Sequence, residues 1–260
     1  MTSARRKAAL RLGVRQAEER ALNLMGRLSP GAAAALDWLE PSKHTSWGGP
    51  MNGQRGRQEI VRTLFGSQVV GQVIETGTYR GTTTMFFFHM FGGPVLTVEA
   101  NPRFYCFARK RLSSLDTVRL SFGDSRNFLD RLSSDPVVTS VPTFFYLDAH
   151  WSSDCPLAEE VRLIGNRWAD PIIMIDDFAV PGDPGYGYDS YGGGVQLNLD
   201  YLPGRDLLGF RGLFPNLRSA DETGARRGCV VLARSGRAAS IAMDVHGLRL
   251  QDGWPVPGFA

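Results

Sequence analysis

The 260-residue sequence is poor in the residues that build covalent or metal staples, with three cysteines and four histidines. Cys106, Cys155 and Cys229 are odd in number, widely spaced and without a CxxC pair. Neither a disulfide framework nor a thiolate zinc site is indicated, and a reducing compartment is expected. No apolar run approaches the roughly 20 residues that cross a bilayer. The N-terminal stretch MTSARRKAALRLGVRQAEERALNLMG lacks the uninterrupted apolar segment of a secretory signal. A cytoplasmic protein is therefore expected. No internal repeat is visible.

What the chain does have is 43% hydrophobic residues, enough for one full core. Its net charge of +3 is uneven. Residues 1–30 hold seven basic residues against Glu18 and Glu19, a surplus of five positive charges that leaves the remainder at −2. Such a helix can lie on an anionic surface, but a solvated helix packing Leu10, Val14, Ala17, Ala21 and Leu24 on one stripe is the commoner arrangement. No nucleic-acid partner is expected; peripheral membrane contact and homo-oligomer formation stay open.

From residue 68 onward, strand-like and helix-like segments alternate. The runs 69–75, 93–100, 118–124, 142–150 and 171–177 are short and mostly apolar, and further strand-like runs lie near 216–219 and 229–234. Asn101-Pro102 caps and opens a helix carrying Phe104, Phe107, Ala108 and Leu112, and Pro156 opens another with Leu157, Val161, Ile164 and Trp168. Continuous apolar strands with helices between them predict a parallel sheet covered on both faces. The expected fold is α/β: a Rossmann-like, doubly wound, seven-stranded, mostly parallel sheet over residues 68–260, preceded by a helical extension over 1–67.

In such a sheet, ligands bind beyond the carboxyl ends of the strands. Those ends carry Glu75, Glu99, Asp124, Asp148 and the pair Asp176-Asp177, five carboxylate positions in register. The loop Gly77-Thr-Tyr79-Arg-Gly81 offers bare backbone for close approach, and the amides at Thr82 and Thr83 open the next helix toward a carboxylate or phosphate. Glu99, 22 residues beyond Gly77, stands where an acid accepts hydrogen bonds from ribose hydroxyls. Asp124 and Ser125 are placed for an adenine edge, and equally for capping the helix over 126–132. An adenosine-bearing cofactor fits. The loop is not G-x-G-x-x-G, and Glu75 beside it would repel a diphosphate but not a zwitterionic donor, which favours S-adenosylmethionine over a nicotinamide cofactor.

ETGTYRG resembles the E/D-x-G-x-x-x-G motif of class I methyltransferases, and VEANP resembles their second acidic motif. Asp148 in FFYLDAHW, with Asp176 and Asp177 in PIIMIDDF, is similar to the metal triad of divalent-cation-dependent O-methyltransferases of the catechol and macrocin types; the Asp-Asp pair is as in the macrocin type. The resemblance covers residues 68–234. It implies S-adenosylmethionine bound by Glu75, Gly77, Tyr79, Gly81, Thr82, Thr83, Glu99, Asp124, Ser125 and Asp148. It further implies a divalent ion, expected to be magnesium, on Asp148, Asp176 and Asp177. Such an ion lowers the pKa of an acceptor hydroxyl.

His150, two residues from Asp148, is the candidate base, and His89 reads as a core residue. DAHW has an extra residue relative to the catechol type's DHW and no lysine just after it. The glycine- and tyrosine-rich stretch 179–195 reads as an acceptor lid, with Tyr186, Tyr188 and Tyr191 to stack on a sugar or aromatic ring and Trp151 to line the pocket. The acceptor is expected to be a small molecule or glycan. A nicotinamide-dependent oxidoreductase and a non-catalytic S-adenosylmethionine-binding module are the competing readings.

Overall fold

The structure, a computed structural model, describes residues 17–67, 70–150, 155–202 and 209–251. Helix α1 (residues 17–28) and helix α2 (Pro30–Leu39) lead through two 3-10 turns into α3 (Arg55–Gly66). Four βα repeats and a fifth strand follow: β1 (Gln72–Thr76), α4 (Thr82–Phe91), β2 (Val95–Glu99), α5 (Pro102–Leu112), β3 (Val118–Phe122), α6 (Ser125–Ser133), the short α7 (Pro136–Ser140), β4 (Thr143–Leu147), α8 (Leu157–Arg167) and β5 (Ile172–Asp176). The chain ends with a two-residue hairpin of β6 (Ser190–Tyr191) and β7 (Val195–Gln196), then β8 (Phe210–Pro215), β9 (Cys229–Arg234), α9 (Ser235–Asp244) and β10 (Leu248–Leu250).

The sheet order is β10-β8-β9-β5-β4-β1-β2-β3. Strands β3, β2, β1, β4 and β5 are mutually parallel, while β9 pairs antiparallel with both β5 and β8, and β10 antiparallel with β8. The sheet thus has eight strands where seven were expected. The extra strand, β10, is three residues long, too short to carry a periodic signal. The strand expected at 216–219 lies earlier, at Phe210–Pro215, where an apolar run ends on a proline.

Strands β1, β4 and β5 are buried along their whole length. Their alternate side chains feed two cores. Ile74, Phe145 and Ile173 pack with Val161 and Ile164 on one face; Val73, Phe144 and Met174 pack with Val61, Phe87 and Ile241 on the other. The order of connection reverses between β1 and β4, which sets the crevice of a doubly wound sheet at their carboxyl ends.

Two sequence expectations change here. Ala17, Ala21 and Leu24 of α1 face solvent, and the buried positions are Leu22 and Gly26. A Cβ on Gly26 would lie 3.0 Å from the Cβ of Arg103, so the glycine lets α1 settle on α5. Leu10 and Val14 fall outside the described residues. His89 is exposed rather than in the core, because the buried side of α4 is carried by Thr84, Phe86 and Phe87. Among the described residues no helix is long and apolar enough to cross a membrane.

Candidate active site

A cavity of about 770 Å³ opens at the carboxyl ends of β1 to β5, within the size range of small-molecule sites. Of the candidate residues named above, Gly77, Tyr79, Glu99, Asp124, Ser125, Asp148, His150, Asp177 and Tyr191 line it. The N-terminal helices and turns add Glu19, Asn23, Trp47 and Asn52, and later loops add Asp189 and Arg227.

The floor is built by the turn after β1. Gly77 has φ +87°, and a Cβ there would collide with the carbonyl of Asp148. The close approach that demands glycine is therefore chain against chain, β1 under the end of β4. Tyr79 is also left-handed at φ +51° and donates its N–H to Glu99 Oε2 at 2.6 Å. Glu99 Oε1 accepts from the Asn101 N–H at 2.7 Å. Burial pushes the Glu99 carboxyl up to about 7 against the pull of these backbone donors. Asp124 caps α6 through the Arg126 and Asn127 amides and pairs with the Arg126 guanidinium, and its carboxyl stays below its ordinary range chiefly because of Arg126. Capping and facing the cavity coexist.

Other expected cofactor contacts are turned elsewhere. Glu75 accepts from Thr84 Oγ1 at 2.5 Å and Thr97 Oγ1 at 2.7 Å, between β1, β2 and α4. Thr83 Oγ1 accepts from the Met51 N–H and Thr82 Oγ1 from Arg111, so the start of α4 is covered by the N-terminal segment and α5. Gly81 is left-handed at the N-terminus of α4, with Leu112 packed against it.

At the ends of β4 and β5, Asp148, His150 and Asp177 each present a ligand atom within 4.8 Å of the others. His150 is buried, its Nε2 is 4.0 Å from Asp148 Oδ1, and neither ring nitrogen has a hydrogen-bond partner. A buried imidazole without a hydrogen-bond partner, beside two carboxylates, has the donor chemistry to meet a cation or a substrate hydroxyl. Burial holds the His150 ring below its ordinary pKa, favouring the neutral imidazole. Burial and the neighbouring Asp176 and Asp177 charges push Asp148 well up; burial and Asp176 push Asp177 to about 7.

Asp176 does not join this group. Burial would raise its carboxyl, but the Arg57 charge, the Tyr146 hydroxyl at 2.5 Å and the Asp177 N–H at 2.7 Å hold it down. Asn52 Nδ2 also donates to it at 3.2 Å. Adjacent strand residues point to opposite faces, so Asp176 turns to α3 while Asp177, at φ +53°, turns to the cavity. Asp177 Oδ1 receives Arg227 Nε at 2.6 Å, and Arg227 also pairs with Asp189.

Of the expected acceptor residues, Tyr191 reaches the cavity, its hydroxyl donating to the His150 carbonyl at 3.0 Å. Tyr186 is buried, donating to the Leu217 carbonyl, and Tyr188 is exposed and outside the cavity lining. Trp151 lies outside the described residues. Sequence reasoning missed Arg57, Arg227 and Trp47. The one legible hint was the glycine-rich stretch SWGGPMNG, where Trp47, Met51 and Asn52 are all left-handed.

No family model matches the sequence, and no curated protein matches it. Among solved structures, the chain is similar to an O-methyltransferase from Bacillus cereus in complex with SAH: 14% identity over 70% of this chain and 81% of that one, TM-score 0.49. It is also similar to TomG from Streptomyces achromogenes, an O-methyltransferase involved in tomaymycin synthesis, in complex with SAM: 13% identity over 69% and 80%, TM-score 0.47. Overlaps this distant leave the site's own chemistry to decide the function.

Proposed function

We propose that the chain is an S-adenosylmethionine-dependent O-methyltransferase whose acceptor hydroxyl meets a divalent cation held by Asp148, His150 and Asp177. The observation that carries this reading is the buried, unpartnered His150 imidazole between two cavity carboxylates. Around it, Arg227 pairs with Asp177 and Asp189 while Asp148 has no such partner; with all three carboxylates ionised the group would carry a surplus of two negative charges, which a divalent ion would offset. The same surplus opposes a diphosphate, which argues against the nicotinamide reading.

The parts divide the work. Glu99, fixed by the Tyr79 and Asn101 amides, would accept from the ribose hydroxyls of the donor, with Ser125 and Asp124 toward its adenine and Phe104 beneath. Asp148 follows β4, which lies between β1 and β5 in the sheet, and the β4–β5 side is where Asn52 reaches Asp176 and Tyr191 reaches His150 and Asp189. A divalent ion bound there would polarise the acceptor oxygen and lower its pKa. Two carboxylates suit magnesium or manganese, and the imidazole nitrogen tilts the choice toward manganese. Trp47, 63% exposed at the mouth, fits an acceptor with a flat apolar face, a sugar or aromatic ring.

A metal-free variant of the same reaction has one observation in its favour. A neutral His150 with free ring nitrogens is ready to accept the acceptor's proton itself. Calorimetry with S-adenosylmethionine, NAD, manganese and magnesium, paired with methyl-transfer assays on a panel of hydroxyl acceptors, tests the proposal. Binding of NAD without S-adenosylmethionine would sink it, and turnover that survives exhaustive chelation would leave the His150 route.

A further inference from the structure

Arg227 is a cation already standing among the candidate metal ligands. Its main chain is pinned from outside the cavity: Gln54 accepts from its N–H at 2.6 Å and donates to its carbonyl at 2.9 Å, and Arg57 donates to the same carbonyl. Its side chain instead bridges two carboxylates, with Nε on Asp177 Oδ1 at 2.6 Å and a terminal nitrogen on Asp189 Oδ1. One ligand of the candidate set therefore has an oxygen occupied by the protein's own guanidinium, while the His150 nitrogens have no partner. Asp189 stands beyond Asp177 as a second anchor for the same side chain.

Resting on the metal-dependent reading above, we propose that Arg227 is the resident counter-cation of the site. It shares Asp177 with the incoming ion and gives up Asp177 Oδ1 when the ion loads. Two like charges cannot crowd one carboxylate oxygen without cost. The pinned main chain keeps the guanidinium at the cavity wall, and Asp189 retains it after Asp177 is released. Without an ion, Arg227 offsets part of the charge of Asp148, Asp177 and Asp189. With one, loading is opposed by the charge-assisted hydrogen bond that must be broken. Arg227 is thus a positioning residue that sets the metal affinity of the site.

The test is manganese binding to the full chain, by calorimetry, for the wild type, Arg227→Gln and Arg227→Lys, with melting temperatures as a folding control. Arg227→Gln should bind manganese about tenfold tighter, the size of one released charge-assisted hydrogen bond. Arg227→Lys keeps the charge but not the planar fork that spans two carboxylates, so it should also bind tighter, by less. Arg227→Lys matching the wild type while Arg227→Gln tightens would mean that net charge alone acts, and would overturn the shared-oxygen proposal. Weaker binding in either folded variant would overturn it too, because Arg227 would then order the ligands rather than compete. Unchanged affinity in both variants removes this inference and leaves the metal site standing. No manganese binding in any of the three removes the metal site as well.

Discussion

Arg57 and Asp176 form an ion pair in which both side chains are 1% exposed, although 119 residues separate them in the chain. The pair ties α3 to the end of β5 and takes Asp176 out of the cavity. Asp176→Asn should therefore act first on stability. It leaves a buried guanidinium without its counter-charge, a loss of about 3–5 kcal/mol. Chemical denaturation of Asp176→Asn and of the double variant Asp176→Asn/Arg57→Met checks this, with the double variant regaining most of the loss. A single variant as stable as the wild type would show that the pair does not hold the sheet to α3.

Glu99 has two jobs that one substitution separates by readout. Glu99→Ala should weaken S-adenosylmethionine by about 1.5–3 kcal/mol, the range for hydrogen bonds to a charged group. Because both oxygens also hold backbone amides, of Tyr79 and Asn101, the same variant should melt lower than the wild type. Calorimetry showing unchanged affinity together with a lower melting temperature would leave Glu99 as a loop anchor only.

Glu75 gives a pH prediction with a definite sign. Burial raises its carboxyl from the ordinary value of 4.5 to about 7, opposed by hydrogen bonds from Thr84 and Thr97. The folded state then holds the proton more tightly than the unfolded chain. Its contribution to stability is full below about pH 4.5 and is lost as pH rises through about 7, up to about 3 kcal/mol at 1.4 kcal/mol per unit. Glu75→Gln should flatten the fall in stability between pH 5 and pH 8. A slope survives, since Glu99, Glu160 and Asp177 also sit near 7. Identical pH profiles for the variant and the wild type would mean that Glu75 is ionised in the fold.

Sequence patterning reached the parallel strands because β1, β4 and β5 are apolar on both faces, and it reached the strand-end acids because a strand must stop where the chain meets solvent. Glu99, Asp124, Asp148 and Asp177 do end at the cavity. What it could not reach was direction. Asp176 and Asp177 are neighbours in sequence, yet the strand's two-residue period and the left-handed turn at Asp177 send them to opposite sides. Arg57, whose charge captures Asp176, sits on a helix whose sequence gives no sign of a buried cation. The residue type and position of His150 suit proton transfer; that its nitrogens are orphaned beside Asp177 depends on bringing the ends of β4 and β5 side by side, which no local pattern encodes.

The sharpest test falls on His150. On the metal-dependent reading proposed above, two carboxylates and an imidazole with ligand atoms within 4.8 Å of each other would hold one ion, and loss of the imidazole would remove a ligand outright. His150→Ala should weaken manganese binding by more than the roughly 10- to 100-fold that follows loss of a ligand's hydrogen-bond partner. S-adenosylmethionine should still bind, because Glu99 ends β2 and Asp124 and Ser125 follow β3, on the far side of β1 from β4 and β5. Asp148→Asn should give the same separation of metal from donor. Asp176→Asn, examined at a temperature where it stays folded, should keep its manganese, since its carboxylate faces Arg57 and Tyr146. If Asp176→Asn loses the ion and His150→Ala retains it, the ion sits on three aspartates, and His150 reverts to a base beside it.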